Sequence, residues 1–141
     1  MLPSRYFADL TQPEIAAQFK KNPFVILPCG SVEQHGPHLP TGTDTLAANV
    51  IAHAVAERMD GLVLPATPFG VTPMHMPFEG TITLTPDTYM RVQTETCVST
   101  AKHGANEEKA LYVTGGDPTQ AIITQPQESG PDKFLTLQEW R

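Results

Sequence analysis

The stretch FVILPCGSVEQHGPHLPTGTDT, Phe24 to Thr45, decides the fold. Its first five residues, Phe24 to Pro28, are an apolar run closed by proline. Such a run predicts a strand buried on both faces, and therefore central and parallel in its sheet. From Gly30 to Thr45 the chain then gathers Glu33, His35, His38 and Asp44 among glycines and prolines. Ligand sites of open α/β sheets lie beyond the carboxyl ends of the strands, so strand position and residue chemistry agree. Glu33 and His35 stand two apart, and on an extended backbone both project to one side, toward one ion or two neighbouring ions. Carboxylate and imidazole without thiolate suit zinc, manganese or another borderline divalent ion, and a mixed oxygen and nitrogen set favours hydrolytic over purely structural use. Each residue alone has a plainer reading: loop hydrogen bonds for Glu33 and His35, a helix cap for Asp44, a backbone carbonyl for His38. Together, on a path set by Gly30, Gly36 and Gly42 with Pro28, Pro37 and Pro40, they read as a metal site.

Working outward, Thr11 and Pro13 open a short helix that ends at Lys20 and Lys21, cations suited to the carboxyl end of the helix dipole. Asp44 to Met59 predicts a covering helix, with Asp44 capping the first amides and Ala47, Val50, Ile51, Ala54 and Val55 turned inward. His53, mid-helix with only Glu57 at i+4, reads as boundary packing. Leu62 to Pro65 predicts a second strand, Ala66 to Gly80 a structured loop, and Thr81 to Leu84 a third strand. In the loop His75, among Met74, Met76 and Phe78, is either a polar group in a substrate pocket over the metal loop or a bystander in apolar packing. Glu79 reads as an exposed loop carboxylate. Thr85-Pro86-Asp87 opens a helix that runs to about His103, and Ala110 to Thr114 predicts a fourth strand. This order predicts an α/β sheet. Beyond Gly115 no period is sustained, which divides the chain into a domain over 1–114 and a divergent tail over 115–141. The tail's Ile122, Ile123, Phe134, Leu135, Leu137 and Trp140 are too many for a solvated linker, and Phe134 to Trp140 reads as one short terminal element.

Composition narrows the function classes. The 141 residues can bury one core, near the lower limit for a sheet covered on both faces. A net charge of −6 with nine Lys and Arg, clustered only at Lys20-Lys21, carries no electrostatic footprint for nucleic acid or an anionic membrane. Cys29 and Cys97 lie far apart without C-x-x-C spacing, so reduced thiols in cytoplasm are expected. No stretch has the length to span a bilayer or the form of a secretory leader. The glycine-rich turns match neither G-x-x-x-x-G-K-[ST] nor G-x-G-x-x-G, which sets aside a phosphate-binding reading.

LPCGSVEQHGPHLPTGTDT, Leu27 to Thr45, and TPMHMPFEGTITLTPDTY, Thr72 to Tyr89, resemble the creatininase (creatinine amidohydrolase) family. The resemblance runs from about Tyr6 to Val113. It implies a three-layer α/β/α fold with a mainly parallel sheet, incomplete at the C-terminal side, a homo-oligomer, and a site of two divalent ions, zinc or manganese with iron a further option. By motif position Glu33, His35 and Asp44 would be the metal ligands, Asp44 bridging. Glu79 stands where the family carries proline. After ALYV the family turn holds another ligand histidine, whereas this chain reads Thr114-Gly115-Gly116-Asp117-Pro118. The implied activity is hydrolysis of a cyclic or other non-peptide amide C–N bond of a small molecule by a metal-bound hydroxide. His38 and His75 are candidates, by location, for the catalytic proton transfer. The alternative is a catalytically inactive homologue that forms oligomers or binds a small molecule.

Overall fold

In the computed structural model, residues 2–105 are described in full, and residues 107–112, 122–124 and 134–136 by their backbone. Helix α1, Gln12–Lys21, starts where expected. The Glu14 carboxylate accepts from the Thr11 backbone N–H at 2.8 Å and from its hydroxyl at 2.7 Å, satisfying the amide that precedes the first turn. Strand β1, Phe24–Cys29, is buried throughout and runs one residue beyond the predicted proline end. It lies between β2, Leu62–Val63, and β3, Glu107–Tyr112, both parallel to it. Val25 pairs with Leu62 on one side, and Phe24 with Glu107 on the other. The central, parallel position expected of the apolar run is the one observed.

Alternation along β1 divides the core. Phe24 and Ile26 join Val63 and two alanines of α2, Thr43–Met59, on one face. Val25, Leu27 and Cys29 join Phe19 and Ile15 of α1 and Cys97 of α3, Pro86–Lys102, on the other. Helices thus cover both faces of the sheet, giving three α/β/α layers. Free Cys29 sits in this core, and burial pushes its thiol up to about 11.

The buried face of α2 corrects the sequence expectation. Val50, Ile51 and Ala54 are exposed, Ala47 and Val55 only half-buried, and the helix instead buries Asp44, Ala48, Ala52 and Ala56. These residues form one i, i+4 row. Their small side chains let the helix backbone lie close to the sheet, and a Cβ on Gly30 would collide with Thr45 Cα and Oγ1. The row that packs on the sheet is therefore the row that carries Asp44 to the carboxyl end of β1.

Thr81 to Leu84 does not form the predicted sheet strand. Ile82 makes a single antiparallel bridge to Val32, donating its N–H at 2.9 Å, while Leu84 N–H goes to the Gly70 carbonyl. Its partners are isolated loop residues, and β propensity without a continuous neighbour builds no ladder. The second strand is shorter than Leu62–Pro65, although Leu64 N–H still reaches the Ile26 carbonyl at 2.8 Å. The fourth predicted strand starts earlier, at Glu107, and Val113 and Thr114 fall outside the described residues. In the tail, β4, Ile122–Thr124, pairs antiparallel with β5, Phe134–Thr136, so the terminal element has a partner the periodicity did not indicate. Among the described residues no helix is long and apolar enough to cross a membrane.

Candidate metal centre

The loop between β1 and α2 turns back on itself. Glu33 N–H donates to the Thr41 carbonyl at 3.0 Å, and the Thr45 hydroxyl donates to the Ser31 carbonyl at 3.0 Å, tying the first turn of α2 to the strand end. Asp44 is not the helix cap. Gly42 holds that position, and no side chain caps there. Asp44, in the first turn, is buried and faces His35.

Glu33, His35 and Asp44 each offer one ligand atom, and these atoms lie within 4.8 Å of one another. His35 Nδ1 is 3.0 Å from the Glu33 carbonyl, which only accepts, so Nδ1 carries the proton. In the neutral ring the lone pair then sits on Nε2, 3.3 Å from Asp44 Oδ1. Two lone pairs face each other there unless a proton or a cation comes between them. The Glu33 carbonyl bond, with the Asp44 carboxylate beside it, holds the His35 pKa above the ordinary value against an opposing desolvation effect. Asp44 Oδ2 is buried and finds no hydrogen-bond partner among the described residues. An orphaned carboxylate oxygen beside an imidazole lone pair fits a divalent cation.

The Ser31 hydroxyl, fully buried, donates to Glu33 Oε2 at 2.8 Å. Glu33 Oε1 faces His75 Nε2 at 3.6 Å, and His75 Nδ1 lies 3.2 Å from Gln34 Nε2. His75, on the short 3-10 turn Pro73–His75, is therefore brought to the cluster. His38 is exposed, outside the group of three, with its ring alongside Gly36, and Glu79 is exposed as expected. His53 packs against the Tyr6 ring at 5.0 Å between centroids, with Glu57 3.9 Å away, in the boundary role expected of it. Asp117 lies outside the described residues. Sequence reasoning missed Ser31 and Gln34. Ser31 shares the strand parity of Glu33 and His35, a signal that was available; Gln34 has the opposite parity and gave none.

Fold and cluster together define an α/β protein with an oxygen and nitrogen ligand set at the carboxyl end of its central strand. The chain belongs to the creatininase family: the family model described as creatinine amidohydrolase matches residues 8–116. A mycofactocin precursor peptide peptidase of Mycobacterium ulcerans (strain Agy99) is 42% identical over 71 residues, covering 44% of this chain and 28% of that protein. A creatinine amidohydrolase of Pseudomonas putida is 31% identical over 130 residues, covering 82% of this chain and 50% of that protein. A solved manganese creatininase superposes with a TM-score of 0.72 at 28% identity, covering 76% of this chain and 44% of that one. A zinc–zinc form of a creatininase mutant gives 0.73 at 28% identity, covering 77% and 45%. The chain thus spans half or less of the length of these relatives. These relatives are named as a peptidase and an amidohydrolase, and the three-layer fold implied by the two motifs is the fold of the structural neighbours.

Proposed function

We propose that the chain contributes a metal-dependent amidohydrolase site, held by Glu33, His35 and Asp44, that acts on a cyclic or other non-peptide amide C–N bond of a small molecule. The observation that carries this reading is the buried, partnerless Asp44 Oδ2 beside the Nε2 lone pair of His35. Glu33, His35 and Asp44 would hold a divalent ion, zinc or manganese as in the related structures, which would supply an activated water and a Lewis acid for a carbonyl. The protein residues supply the frame. His35 is aimed by its bond to the Glu33 carbonyl, Glu33 by the Ser31 hydroxyl, and Asp44 by the first turn of α2. Asp44, with Oδ1 toward His35 and Oδ2 unpartnered among the described residues, is the candidate for a ligand shared by two ions. His75 faces the cluster beside Glu33, while His38 on the exposed loop meets substrate from the solvent side. Exposed Leu46, Val50 and Ile51 along α2 suit a homo-oligomer contact, and cysteines Cys29 and Cys97 outside any disulfide suit the cytoplasm. Residues 1–114 are the domain that carries the site, and 115–141 a tail divergent from the family pattern.

Metal stoichiometry by plasma mass spectrometry, on the full chain and on Glu33→Ala and Asp44→Ala, tests the reading. Near two ions per chain, lost in both variants, is the expected result. A folded wild-type protein that binds none refutes the hydrolase reading and leaves the inactive, small-molecule-binding alternative.

A further inference from the structure

We infer that Gln34 is a positioning residue that fixes the tautomer of His75, so that the ring presents Nε2–H, and no lone pair, to the side of the site bounded by Glu33. Gly36 N–H lies 3.0 Å from Gln34 Oε1, and a backbone N–H only donates. Exchanging the oxygen and nitrogen of the Gln34 amide would set donor against donor, so its orientation is settled. Gly36 has φ +68°, a conformation glycine adopts without strain, and this turn brings its N–H back onto the side chain two residues earlier. The Gln34 backbone is itself held, its N–H donating to Thr81 Oγ1 at 3.3 Å.

The other end of the amide then dictates the ring. Gln34 Nε2 can only donate, and it faces His75 Nδ1 at 3.2 Å, so Nδ1 must hold the lone pair. A neutral imidazole with its lone pair on Nδ1 carries its proton on Nε2, and that atom is 3.6 Å from Glu33 Oε1. The ring thus turns an N–H, and no lone pair, toward Glu33. The two histidines of the site hold opposite tautomers. His35, with Nδ1–H on a carbonyl, keeps Nε2 free to ligate, while His75, with Nδ1 occupied, offers only a hydrogen. Glu33 thus accepts from Ser31 at Oε2, while the N–H of His75 faces Oε1 at 3.6 Å. The chemical consequence rests on the hydrolase reading: His75 steadies Glu33, or a substrate oxygen arriving there, as a neutral donor, and acts neither as a metal ligand nor as a base through Nε2.

Long-range 1H–15N correlation of the histidine rings in the full chain reads the tautomer directly, and the chain has five histidines to assign. At pH 8, with and without zinc, His75 is expected to show a protonated Nε2 and an unprotonated Nδ1, with Nε2 unmoved by zinc while the Nε2 of His35 shifts. Gln34→Glu, which turns the donor into an acceptor of the same shape, is expected to move the His75 proton to Nδ1. Wild-type Nδ1–H, a zinc shift at His75 Nε2, or an unchanged pattern in Gln34→Glu overturns the inference. If that variant fails to fold, the wild-type spectrum alone decides. The outcomes also separate the two readings: the expected tautomer in a protein that binds no zinc sinks the hydrolase reading and keeps this one, and Nδ1–H in a zinc-loaded protein does the reverse.

Discussion

Asp44→Asn should stabilise the metal-free chain and abolish its response to metal. In the chelated protein at high pH, once the His35 ring is neutral, Asp44 buries a carboxylate whose Oδ1 faces the Nε2 lone pair at 3.3 Å and whose Oδ2 has no donor among the described residues. Leaving one buried polar atom unsatisfied costs about 1–3 kcal/mol. Asparagine keeps the shape and can donate Nδ2–H to His35 Nε2, a hydrogen bond the carboxylate cannot make, and it leaves a neutral carbonyl instead of a charged oxygen at the orphaned position. The chelated variant is therefore expected to be more stable than the chelated wild type by about 1–3 kcal/mol, roughly 5- to 160-fold in the unfolding constant. Metal acts in the opposite direction. Free ion at a hundred times its dissociation constant stabilises a binding-competent protein by about 2.7 kcal/mol, a gain the variant should lack. Urea unfolding at pH 9, once with chelator and once with buffered zinc, measures both effects. A chelated variant less stable than chelated wild type, or one that gains as much from zinc, would refute the reasoning from the orphaned oxygen.

Ser31→Ala removes the buried hydroxyl that donates to Glu33 Oε2, and zinc affinity should fall about 10–100-fold by calorimetry, while circular dichroism stays native. Gly30→Ala sets a methyl against Thr45 Cα, which forces α2 off the strand end; a loss of about 1–3 kcal/mol in denaturant unfolding is expected, together with weaker metal binding because Asp44 moves with the helix. The raised pKa of His35 sets opposite pH trends for the two states. Protonated His35 on Asp44 stabilises the metal-free chain fully below the ordinary histidine value of 6.5, and that contribution is lost as pH rises through the raised folded value. Zinc affinity runs the other way, falling about tenfold per pH unit below the folded pKa because one proton must leave. Chelated melting curves from pH 5 to 9 and zinc titrations over the same range check both signs; parallel trends would contradict them.

Local physics made a good part of this legible in one dimension. An apolar run closed by proline is a buried strand wherever it lies, and Thr11 with Glu14 caps a helix from its own neighbours. Glu33 and His35, two apart, reach the same cluster because backbone parity sets the direction of their side chains. The face of α2 was misread because its apolar residues lie all around the helix, and hydrophobicity could not tell a large exposed Val50 from a small buried Ala52. Close approach to the sheet selects the alanine row, and that approach is a property of two elements together.

The central strand, the loop at its carboxyl end and the ligand types that loop carries follow from local sequence alone, because each depends on neighbours within a few residues. Long-range packing turns Asp44 from the helix amides to His35, and brings His75, more than forty positions from Gln34, to the other side of the site, where Ser31 holds Glu33. Hydrogen bonds and lone-pair repulsions act over about 3 Å, and which atoms come that close is settled when the chain packs.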